Sequence, residues 1–544
     1  MQVEEADYVI VGAGTAGCVV ASRLSEDPQT KVALLEAGGS DMSIWIQLPI
    51  GYGRTFFNPK INWMFDTQPI AALGGRSSYW PRGKVIGGSG SINAMVHVRG
   101  FPHDFEDWRA AGNVGWGWDD VLPYFIRTED HDLGPSDRHG RGGPQHVTDI
   151  SRYVHPLCDW FLSTGREMGF PETRDFNGPA GEGFGIYQIN TRGGWRASTA
   201  NAYLWPARRR ANLALMKHTQ ATRVLIENGR AVGVVYRQGR RERTIRARRE
   251  VILCAGAIGS PHLLQHSGIG DGETLRKHGI AVVHHNASVG QNLQDHLAVS
   301  YFYRTSVPTL NNELGPFRGK AWAALHYLFN RHGPLSMSVN QAGGFVRSSP
   351  EQTRPNLQLY FSPVSYTKTP LAARRLLNPD PFPAFLLSFN SCRPTSRGHL
   401  QIASADPFDK PAIYPNYLAT EHDVDEARAG IRLLRRIAQS RPLAEVITEE
   451  LVPGPALADD DALLEDFRAR ADTVYHPTST CMMGTDPARS VVDNQLRVHG
   501  IAGLRVIDAS IFPAVTSGNV NAPTVMVAEK GAAMIRANER ETVR

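Results

Sequence analysis

The residues best suited to acid–base or thiol chemistry lie near the C-terminus, in residues 473–484 (TVYHPTSTCMMG). His476 precedes a proline, and Cys481 follows it five residues later. On this segment alone the histidine has four possible roles: a metal ligand, a partner of a nucleophilic cysteine, a packed core residue, or a catalytic base. The choice between these roles depends on the partners that the rest of the chain supplies.

The cysteines argue against a metal site or a disulfide framework. The chain has five of them, an odd and scattered set without CxxC spacing, which suits a reducing compartment. Because the residues around Cys481 are apolar, we interpret Cys481, Met482 and Met483 as packing residues rather than as a nucleophile and its neighbours. No metal site is expected.

A dinucleotide-binding motif occupies the first forty residues. A short apolar run leads into GAGTAG at residues 12–17, and an amphipathic stretch and a second β-rich run follow, with Glu36 about twenty positions on. In this context Gly12 permits the tight turn, Gly14 lets a pyrophosphate approach the backbone, and Gly17 lets helix and strand pack closely. Glu36 can accept a hydrogen bond from a ribose hydroxyl. The motif predicts a dinucleotide but does not separate NAD from FAD.

A second glycine-rich element, residues 81–93 (PRGKVIGGSGSIN), favours a flavin. Gly87, Gly88 and Gly90 would let backbone amides approach an aromatic ring, and Asn93 could hydrogen-bond its edge. A nicotinamide enzyme has no obvious use for this second element. The structural alternative is a plain turn.

At these motifs the chain resembles the glucose-methanol-choline (GMC) oxidoreductase family, and particularly its choline dehydrogenase-like bacterial branch. The resemblance covers essentially the whole chain and implies FAD-dependent oxidation of an alcohol. It rests on residues 12–17, 83–93, 256–270, 289–296 and the segments around His476 and Asn519. Two positions depart from the pattern. His97 replaces the usual aromatic residue, and Ile92 stands where some members carry a flavin-linking histidine, so the resemblance implies a non-covalent FAD.

The resemblance also implies individual cofactor contacts. Glu36 is expected at the ribose, Asp508 near the pyrophosphate or ribityl chain, the Val224 backbone at the adenine and Asn521 at the flavin edge. His296 is expected to brace the lobe boundary or cover the flavin. The predicted FAD-binding residues are Gly12, Gly14, Thr15, Ala16, Gly17, Glu36, Ala37, Arg82, Gly83, Val85, Gly88, Ser89, Asn93, Ala94, Val96, Val224, Ala255, Asp508, Ala509, Asn519 and Asn521.

The predicted reaction needs a base for the alcohol hydroxyl. Removing hydride from an alcohol carbon requires the hydroxyl proton to leave as well, and a histidine near neutral pKa meets that need. By resemblance, His476 before its proline is the base, and Asn519 holds and orients the oxygen while hydride passes to flavin N5. The structural alternatives are a packed core histidine and a turn or capping role for Asn519.

The substrate is predicted only by class. Candidate pocket-wall residues are Tyr475, Phe361, Val364 and Tyr366, which would suit a benzylic, furanic or aliphatic primary alcohol oxidised to its aldehyde. O₂ or a quinone-type acceptor would reoxidise the FAD; the sequence separates neither oxidase from dehydrogenase nor one oligomeric state from another. A hydroxynitrile lyase and a flavin photodecarboxylase on the same fold are the alternatives, and a non-enzymatic flavin-binding protein is less favoured.

The predicted fold class is α/β: a doubly wound, Rossmann-like FAD-binding domain plus an α+β substrate-binding domain with a largely antiparallel sheet. Residues 228–229 (NG) predict a two-residue hairpin turn. Alternating apolar residues in 356–361 and 398–402 predict antiparallel strands with one face in solvent or over a pocket. The FAD-binding domain is predicted to be discontinuous, comprising residues 1–155, 192–298 and 465–544, with 156–191 and 299–464 forming the substrate-binding domain.

Bulk composition limits the remaining classes. With 544 residues, 42% hydrophobic and 20% charged, the chain is a soluble globular type too long for one ordinary core. The net charge of +5 is mild, and the arginine clusters at 208–210 and 240–241 are interpreted as solvated, so no nucleic-acid partner is expected. The absence of a bilayer-length apolar run, together with acidic Glu4 and Glu5 in place of a basic signal region, predicts a cytoplasmic protein; peripheral membrane association is left open.

Overall fold

Two large β-sheets organise the chain in a computed structural model that describes residues 4–367 and 378–542. Their strands are, in chain order, β1 (Glu5–Val11), β2 (Val32–Leu35), β3 (Gly183–Ile186), β4 (Leu213–Met216), β5 (Thr219–Glu227), β6 (Arg230–Gln238), β7 (Arg241–Leu253), β8 (Leu297–Thr305), β9 (Ala342–Val346), β10 (Leu357–Ser362), β11 (Ala384–Ser391), β12 (Ile447–Val452), β13 (Asp472–Thr473) and β14 (Leu504–Val506).

The helices of nine or more residues pack around these sheets. They are, in chain order, α1 (Thr15–Leu24), α2 (Pro102–Ala110), α3 (Trp118–Thr128), α4 (Leu157–Glu167), α5 (Gly256–His266), α6 (Phe317–Asn330), α7 (Glu421–Gln439), α8 (Asp460–Arg470) and α9 (Asn521–Thr542). No helix within the described residues combines the length and the apolar character needed to cross a bilayer.

The first sheet is the doubly wound nucleotide sheet that the glycine motif predicts. Its order is β4-β2-β1-β7-β6-β5, with β14 paired to β7. The pairs among β4, β2, β1, β7 and β14 are parallel, and the apolar residues of β1 and β2 are buried on both faces, as parallel strands require. The antiparallel β5–β6 hairpin turns at Asn228 and Gly229, both with positive φ, as a two-residue hairpin demands.

The second sheet is antiparallel throughout, in the order β12-β8-β11-β10-β9-β3 with β13 paired to β8. The predicted fold class, α/β with a largely antiparallel second sheet, is confirmed. Strand β10 is buried along its whole length and its Tyr360 lines a cavity, so of the two predicted surroundings the pocket is the one found. Helix α7 packs on the same sheet through β11. One detail differs. The predicted strand at 398–402 pairs instead with Ala412–Tyr414 in a separate ribbon.

The predicted domain boundaries stay a prediction. The path of the chain shows which segments connect the two sheets. Strand β8 follows directly from the 289–296 segment, and β13 leads directly into the segment of His476. Beyond the second sheet the two segments stay side by side, with an antiparallel bridge between Gln294 and Thr478. The His476 segment then reaches the residues that follow β14 of the first sheet.

Candidate active site

One cavity of about 450 Å³ extends from the glycine-rich loops of the first sheet to the second sheet. Its walls include strand residues of both sheets, among them Thr222 and Tyr360, together with His476 and Asn519. It is also lined by most of the predicted cofactor-binding residues, namely Gly12, Gly14, Thr15, Ala16, Glu36, Ala37, Arg82, Gly83, Gly88, Ser89, Asn93, Ala94, Val96, Ala255, Asp508, Ala509, Asn519 and Asn521.

The two glycine motifs, about seventy residues apart in sequence, pack against each other. A Cβ on Gly88, which has φ +54°, would lie 2.7 Å from the Gly14 Cα, and one on Gly12, with φ +96°, would lie 2.7 Å from the Cys254 carbonyl oxygen. Gly17 does not line the cavity; a Cβ there would lie 1.9 Å from the Gly12 carbonyl oxygen, so its role is the close packing of α1. The glycines therefore let the two loops and α1 pack closely enough to form a trough lined by backbone.

Two buried carboxylates hold the walls of this trough. Glu36, at the end of β2, accepts from the N–H of Ala13 at 2.9 Å and of Gly38 at 2.7 Å, and burial raises its pKa to about 7. Asp508, after β14, accepts from the Gly256 N–H at 2.8 Å and the Ser260 hydroxyl at 2.6 Å, and burial raises its pKa. Asp508 thereby fixes the start of α5, and both residues retain a face toward the cavity.

Two predicted cofactor residues lie behind the wall rather than on it. The Val224 N–H donates to the Ser267 hydroxyl at 2.7 Å and Val224 pairs with Val234 in the hairpin, so its N–H is not free for an adenine. The cavity is lined instead by residues 219–222 of the same strand. Val85 is fully buried and supports the glycine loop from beneath.

Of the four predicted pocket-wall residues, two line the cavity and two do not. Tyr475 and Tyr366 line the cavity. Phe361 does not: it is fully buried and stacks on Phe161 with ring centroids 4.9 Å apart. Because successive strand residues point to opposite faces, its neighbour Tyr360 faces the cavity instead.

Val364 is also fully buried, in a hydrophobic cluster beside the cavity, so it supports the wall without lining it. Tyr475 is held in a left-handed conformation, φ +70°, which costs free energy in a non-glycine residue. Its carbonyl accepts from the Arg82 guanidinium at 2.8 Å and its N–H donates to the Thr473 hydroxyl at 2.7 Å.

His476 is anchored through its backbone by a buried carboxylate. Its N–H donates to Asp295 Oδ1 at 2.7 Å, while Asp295 Oδ2 accepts from the hydroxyls of Thr473, at 2.5 Å, and Tyr417. Burial raises the pKa of Asp295 to about 6. The three donors leave this carboxylate fully engaged, so it positions the histidine rather than reacting.

A second histidine determines which nitrogen of His476 carries the proton. His296 Nε2 lies 3.0 Å from the Cys392 carbonyl oxygen, which can only accept, so this nitrogen bears the hydrogen. His296 Nδ1, 3.0 Å from His476 Nδ1, is therefore an acceptor, and His476 Nδ1 must be the donor. The unprotonated nitrogen of His476 is Nε2, which lies 3.1 Å from the Asn519 amide nitrogen on the cavity wall.

Both rings are neutral because burial opposes their charging. Burial lowers the pKa of His296 to about 4. The pKa of His476 lies well below its ordinary value, first through burial and then through His296 and Arg82 nearby. At neutral pH His476 Nε2 therefore carries a lone pair at the cavity wall. It accepts from the Asn519 amide N–H in this structure, and a hydroxyl that replaces that contact would find the unprotonated nitrogen that a general base requires.

Asn519 is oriented by a residue of the second sheet. Gln358 on β10 donates from Nε2 to Asn519 Oδ1 at 3.2 Å, so the Asn519 amide N–H₂ points to His476. The neighbouring Asn521, at the start of α9, accepts from the Thr15 hydroxyl at 3.1 Å and so joins the first glycine motif to the site.

Sequence reasoning missed three supporting residues, Asp295, Gln358 and Arg196, and it placed His296 only at the lobe boundary or flavin cover. His296 and Asp295 lie at the end of the 289–296 segment that supports the family resemblance, but the segment alone does not show that it meets His476. Gln358 looked like an ordinary strand residue. Arg196 has no carboxylate partner among the described residues; it donates to the Asn93 side chain at 2.7 Å and the Gly90 carbonyl at 3.3 Å, and burial lowers its pKa to about 9.

His97, the departure from the family pattern, belongs to a separate buried ion-pair network. Its Nε2 lies 2.9 Å from Glu129, which Arg99 and His139 also contact. Glu129, His131 and His139 are close enough to hold a metal ion, but Arg99 already neutralises the carboxylate. His131 Nδ1 accepts a backbone N–H, so its Nε2 carries the proton and offers no lone pair. The network is structural.

A doubly wound sheet whose glycine trough opens onto a buried, neutral histidine is the arrangement of a dinucleotide-binding enzyme. The trough fits FAD: the two glycine loops pack backbone against backbone, with no room for a Cβ on Gly12 or Gly88, so backbone rather than side chains lines the cavity there, and the cavity continues past the buried Glu36 carboxylate to the histidine. The residues that would hold FAD are those of the trough, with Glu36, Asp508 and Asn521 around it.

Comparison with known proteins identifies the family. Residues 6–298 and 394–528 match the N- and C-terminal models of GMC oxidoreductase. The chain is 42% identical to the alcohol dehydrogenase (acceptor) of Pseudomonas putida over 97% of this chain and 95% of that one. It is also 42% identical to the oxygen-dependent choline dehydrogenase of Vibrio vulnificus over 97% of this chain and 94% of that one.

A solved structure shows the same fold. Pyridoxine 4-oxidase from Mesorbium loti superposes with a TM-score of 0.88 at 31% identity, covering 98% of this chain and 99% of that one. The protein therefore belongs to the GMC oxidoreductase family, and it is an FAD-dependent oxidoreductase that acts on CH–OH groups.

Proposed function

We propose that this protein oxidises a primary alcohol to the aldehyde, with His476 as the base and Asn519 as the residue that orients the hydroxyl. The observation that carries the proposal is the arrangement of His476 Nε2, unprotonated and 3.1 Å from the Asn519 amide nitrogen on the cavity wall. In this structure the Asn519 amide N–H donates to His476 Nε2. An alcohol oxygen placed beside both nitrogens, within hydrogen-bond distance of each, would replace that contact: it would accept a hydrogen bond from Asn519 and donate its proton to His476 Nε2.

The two residues act on the hydroxyl in complementary ways. Asn519 cannot accept a proton as a base, so proton transfer belongs to His476 alone. Charging a buried imidazole is unfavourable in isolation, but it becomes favourable as alkoxide character develops beside it. Throughout, the His476 Nδ1–H keeps its acceptor on His296. Bound FAD supplies the hydride acceptor, its N5 atom.

The attachment of FAD is proposed to be non-covalent. Ile92 lines the cavity, and its hydrocarbon side chain has no atom that could bond to a flavin. Precipitating the protein with acid should release the yellow chromophore into the supernatant. Flavin absorbance retained by the washed precipitate would overturn this part of the proposal.

The proposed substrate is an uncharged primary alcohol of benzylic, furanic or aliphatic type. Around His476 the wall is aromatic, with Phe56 edge-on to Tyr475 at 5.3 Å between ring centroids and Tyr360 and Tyr366 nearby. Such walls bind apolar groups. Among the described residues, the second sheet contributes hydroxyl, aromatic and aliphatic side chains to the cavity but no carboxylate, so the wall offers a choline ammonium no counter-charge there.

The test is anaerobic mixing of the purified holoenzyme with a panel of alcohols, choline included. Bleaching of the flavin absorbance by primary alcohols, with aldehyde formed in equal amount, is the expected result. Readmitting air, or adding a quinone-type dye instead, then shows whether O₂ or a quinone reoxidises the flavin. No bleaching with any alcohol would contradict the proposal, and aldehyde formation from a cyanohydrin without bleaching would indicate a lyase.

A further inference from the structure

Exposed apolar side chains are concentrated on one helix, α6 (Phe317–Asn330). Only Ala323 and Tyr327 of this helix are buried. Of the eleven strongly exposed large apolar residues among the described part of the chain, five lie on α6. These five, here called the apolar face of α6, are Phe317 (84% exposed), Trp322 (69%), Leu325 (49%), Leu328 (60%) and Phe329 (83%).

The apolar face forms one continuous stripe rather than scattered points. At 100° per residue, its five side chains fall within an arc of about 140° on the side away from Ala323 and Tyr327. Single exposed apolar residues are ordinary in soluble proteins, but a contiguous set marks a surface that meets something apolar. Helix α6 is therefore apolar on the side that packs against the protein and on the side that does not.

The charged residues on this helix and just after it are all cations. Residues 317–333 contain Arg318, Lys320 and Arg331 and no aspartate or glutamate. Arg331 stacks over the Tyr327 and Trp195 rings at the end of the helix, which keeps one cation at the rim. Tryptophan, phenylalanine and leucine on one side, with arginine and lysine around them, are the composition of helices that lie in the headgroup region of a bilayer.

We propose that the apolar face of α6 docks this protein on the surface of an anionic lipid bilayer, with the helix lying in the plane of the membrane. Trp322, Leu325 and Phe329 would enter the acyl boundary while the cations meet lipid phosphates. A second copy of the chain is a poorer occupant, because self-association through this face would bring the cations of both copies together without counter-charges. The proposal concerns binding only and does not depend on the proposed reaction.

Docking here would place the membrane beside the cavity wall. The buried Ala323 and Tyr327 belong to the same hydrophobic cluster as Tyr52, Met95 and Val339, and these last three line the cavity. The bilayer would then lie on the outer side of this cluster, with helix α6 between it and the cavity. Alcohols or acceptors that partition into lipid would be concentrated on that side of the protein.

The test is flotation of the holoenzyme with vesicles. At low salt, the wild-type protein should float with phosphatidylcholine vesicles that contain phosphatidylglycerol, bind pure phosphatidylcholine vesicles more weakly, and partly dissociate at high salt. The double variant Trp322→Ser/Phe329→Ser should lower the bound fraction about tenfold or more. Arg318→Ser/Lys320→Ser should lower binding to the anionic vesicles only.

The matched control is Val114→Ser/Val283→Ser, which removes two residues that are also exposed, 75% and 50%, but lie elsewhere. It should float like the wild type, and all variants should keep their FAD content and thermal midpoint. Equal flotation of wild type and the α6 variants would overturn the proposal, as would wild-type protein that never floats. A dimer that dissociates in gel filtration on Trp322→Ser/Phe329→Ser, without lipid binding, would assign the face to a subunit interface instead.

Discussion

His296 and His476 face each other through their Nδ1 atoms, 3.0 Å apart, and the Cys392 carbonyl 3.0 Å from the far nitrogen of His296 decides the direction of that hydrogen bond. As a result, the unprotonated nitrogen of His476 is Nε2, which lies beside Asn519 on the cavity wall. A backbone carbonyl that never changes protonation state thus sets the tautomer of the proposed base two rings away.

Removing the acceptor from position 296 should impair catalysis without loss of FAD. In His296→Leu, the His476 Nδ1–H has no partner and the imidazole can rotate or change tautomer, so flavin reduction by alcohol should slow about 100-fold. His296→Gln should recover much of the rate, because its amide can donate to Cys392 and accept from His476. Stopped-flow absorbance measures both variants, and equal rates for Leu and Gln would show that His296 only fills space.

Burial of neutral His296 should also make the protein sensitive to acid. With a pKa of about 4 in the folded state against about 6.5 unfolded, the unfolded chain binds more protons below pH 6.5. The stability that this group contributes is complete above that pH and is lost as the pH falls toward 4. The free energy of unfolding of the wild type should drop about 3 kcal/mol more than that of His296→Gln between pH 7 and pH 4.

Denaturant titrations at the two pH values measure this difference. His285→Gln, at a solvent-exposed histidine, serves as the control and should follow the wild type. Parallel pH profiles for wild type and His296→Gln would show that the ring is not held neutral.

The pair Asn519 and Gln358 should behave as one unit. Asn519→Leu removes the donor to the substrate oxygen and should slow flavin reduction about 100-fold. Gln358→Leu only frees the Asn519 amide to turn, so about tenfold is expected. Because both changes act on the same contact, the double variant should be no slower than Asn519→Leu alone. If the rate losses of the two single variants multiply in the double variant, the two residues are not coupled through the 3.2 Å hydrogen bond from Gln358 Nε2 to Asn519 Oδ1.

Replacing Arg196 should weaken FAD binding more than it slows flavin reduction. Its guanidinium braces Asn93 and Gly90 in the second glycine loop, so Arg196→Met should weaken FAD binding about tenfold. Fluorescence titration of cofactor-stripped protein measures the dissociation constant. Arg347→Met, which breaks an ion pair with Glu182 on the exposed surface, should leave FAD binding unchanged; an equal loss in both variants would point to general destabilisation.

The sequence predicted the features that depend on short local patterns. Glycine spacing between a buried strand and a helix located the trough around Gly12 and Gly14, and the Asn228–Gly229 pair located a hairpin. Tertiary relationships were predicted less well. The choice between Phe361 and Tyr360 depends on which face of β10 meets the cavity, and a one-residue shift reverses it.

The same limit applies to Val224 and to His296. Val224 lies on the predicted strand, but only packing shows that Ser267 takes its N–H. His296 lies 180 residues from His476 in sequence, and no local pattern encodes that contact. The side chains proposed to react could be named from the family resemblance, whereas the side chains that fix the position of the proton could be found only from the fold.

The most direct test of the central claim is the rate of anaerobic flavin reduction in His476→Ala, with a primary alcohol that the wild type oxidises. The base is the one group that the proposed reaction cannot replace, since Asn519 and the neutral aromatic wall accept no proton. Flavin reduction should slow by about two to four orders of magnitude, while FAD content and the thermal midpoint stay close to wild type. A His476→Ala enzyme that retains its FAD and is reduced at near wild-type rate would contradict the account.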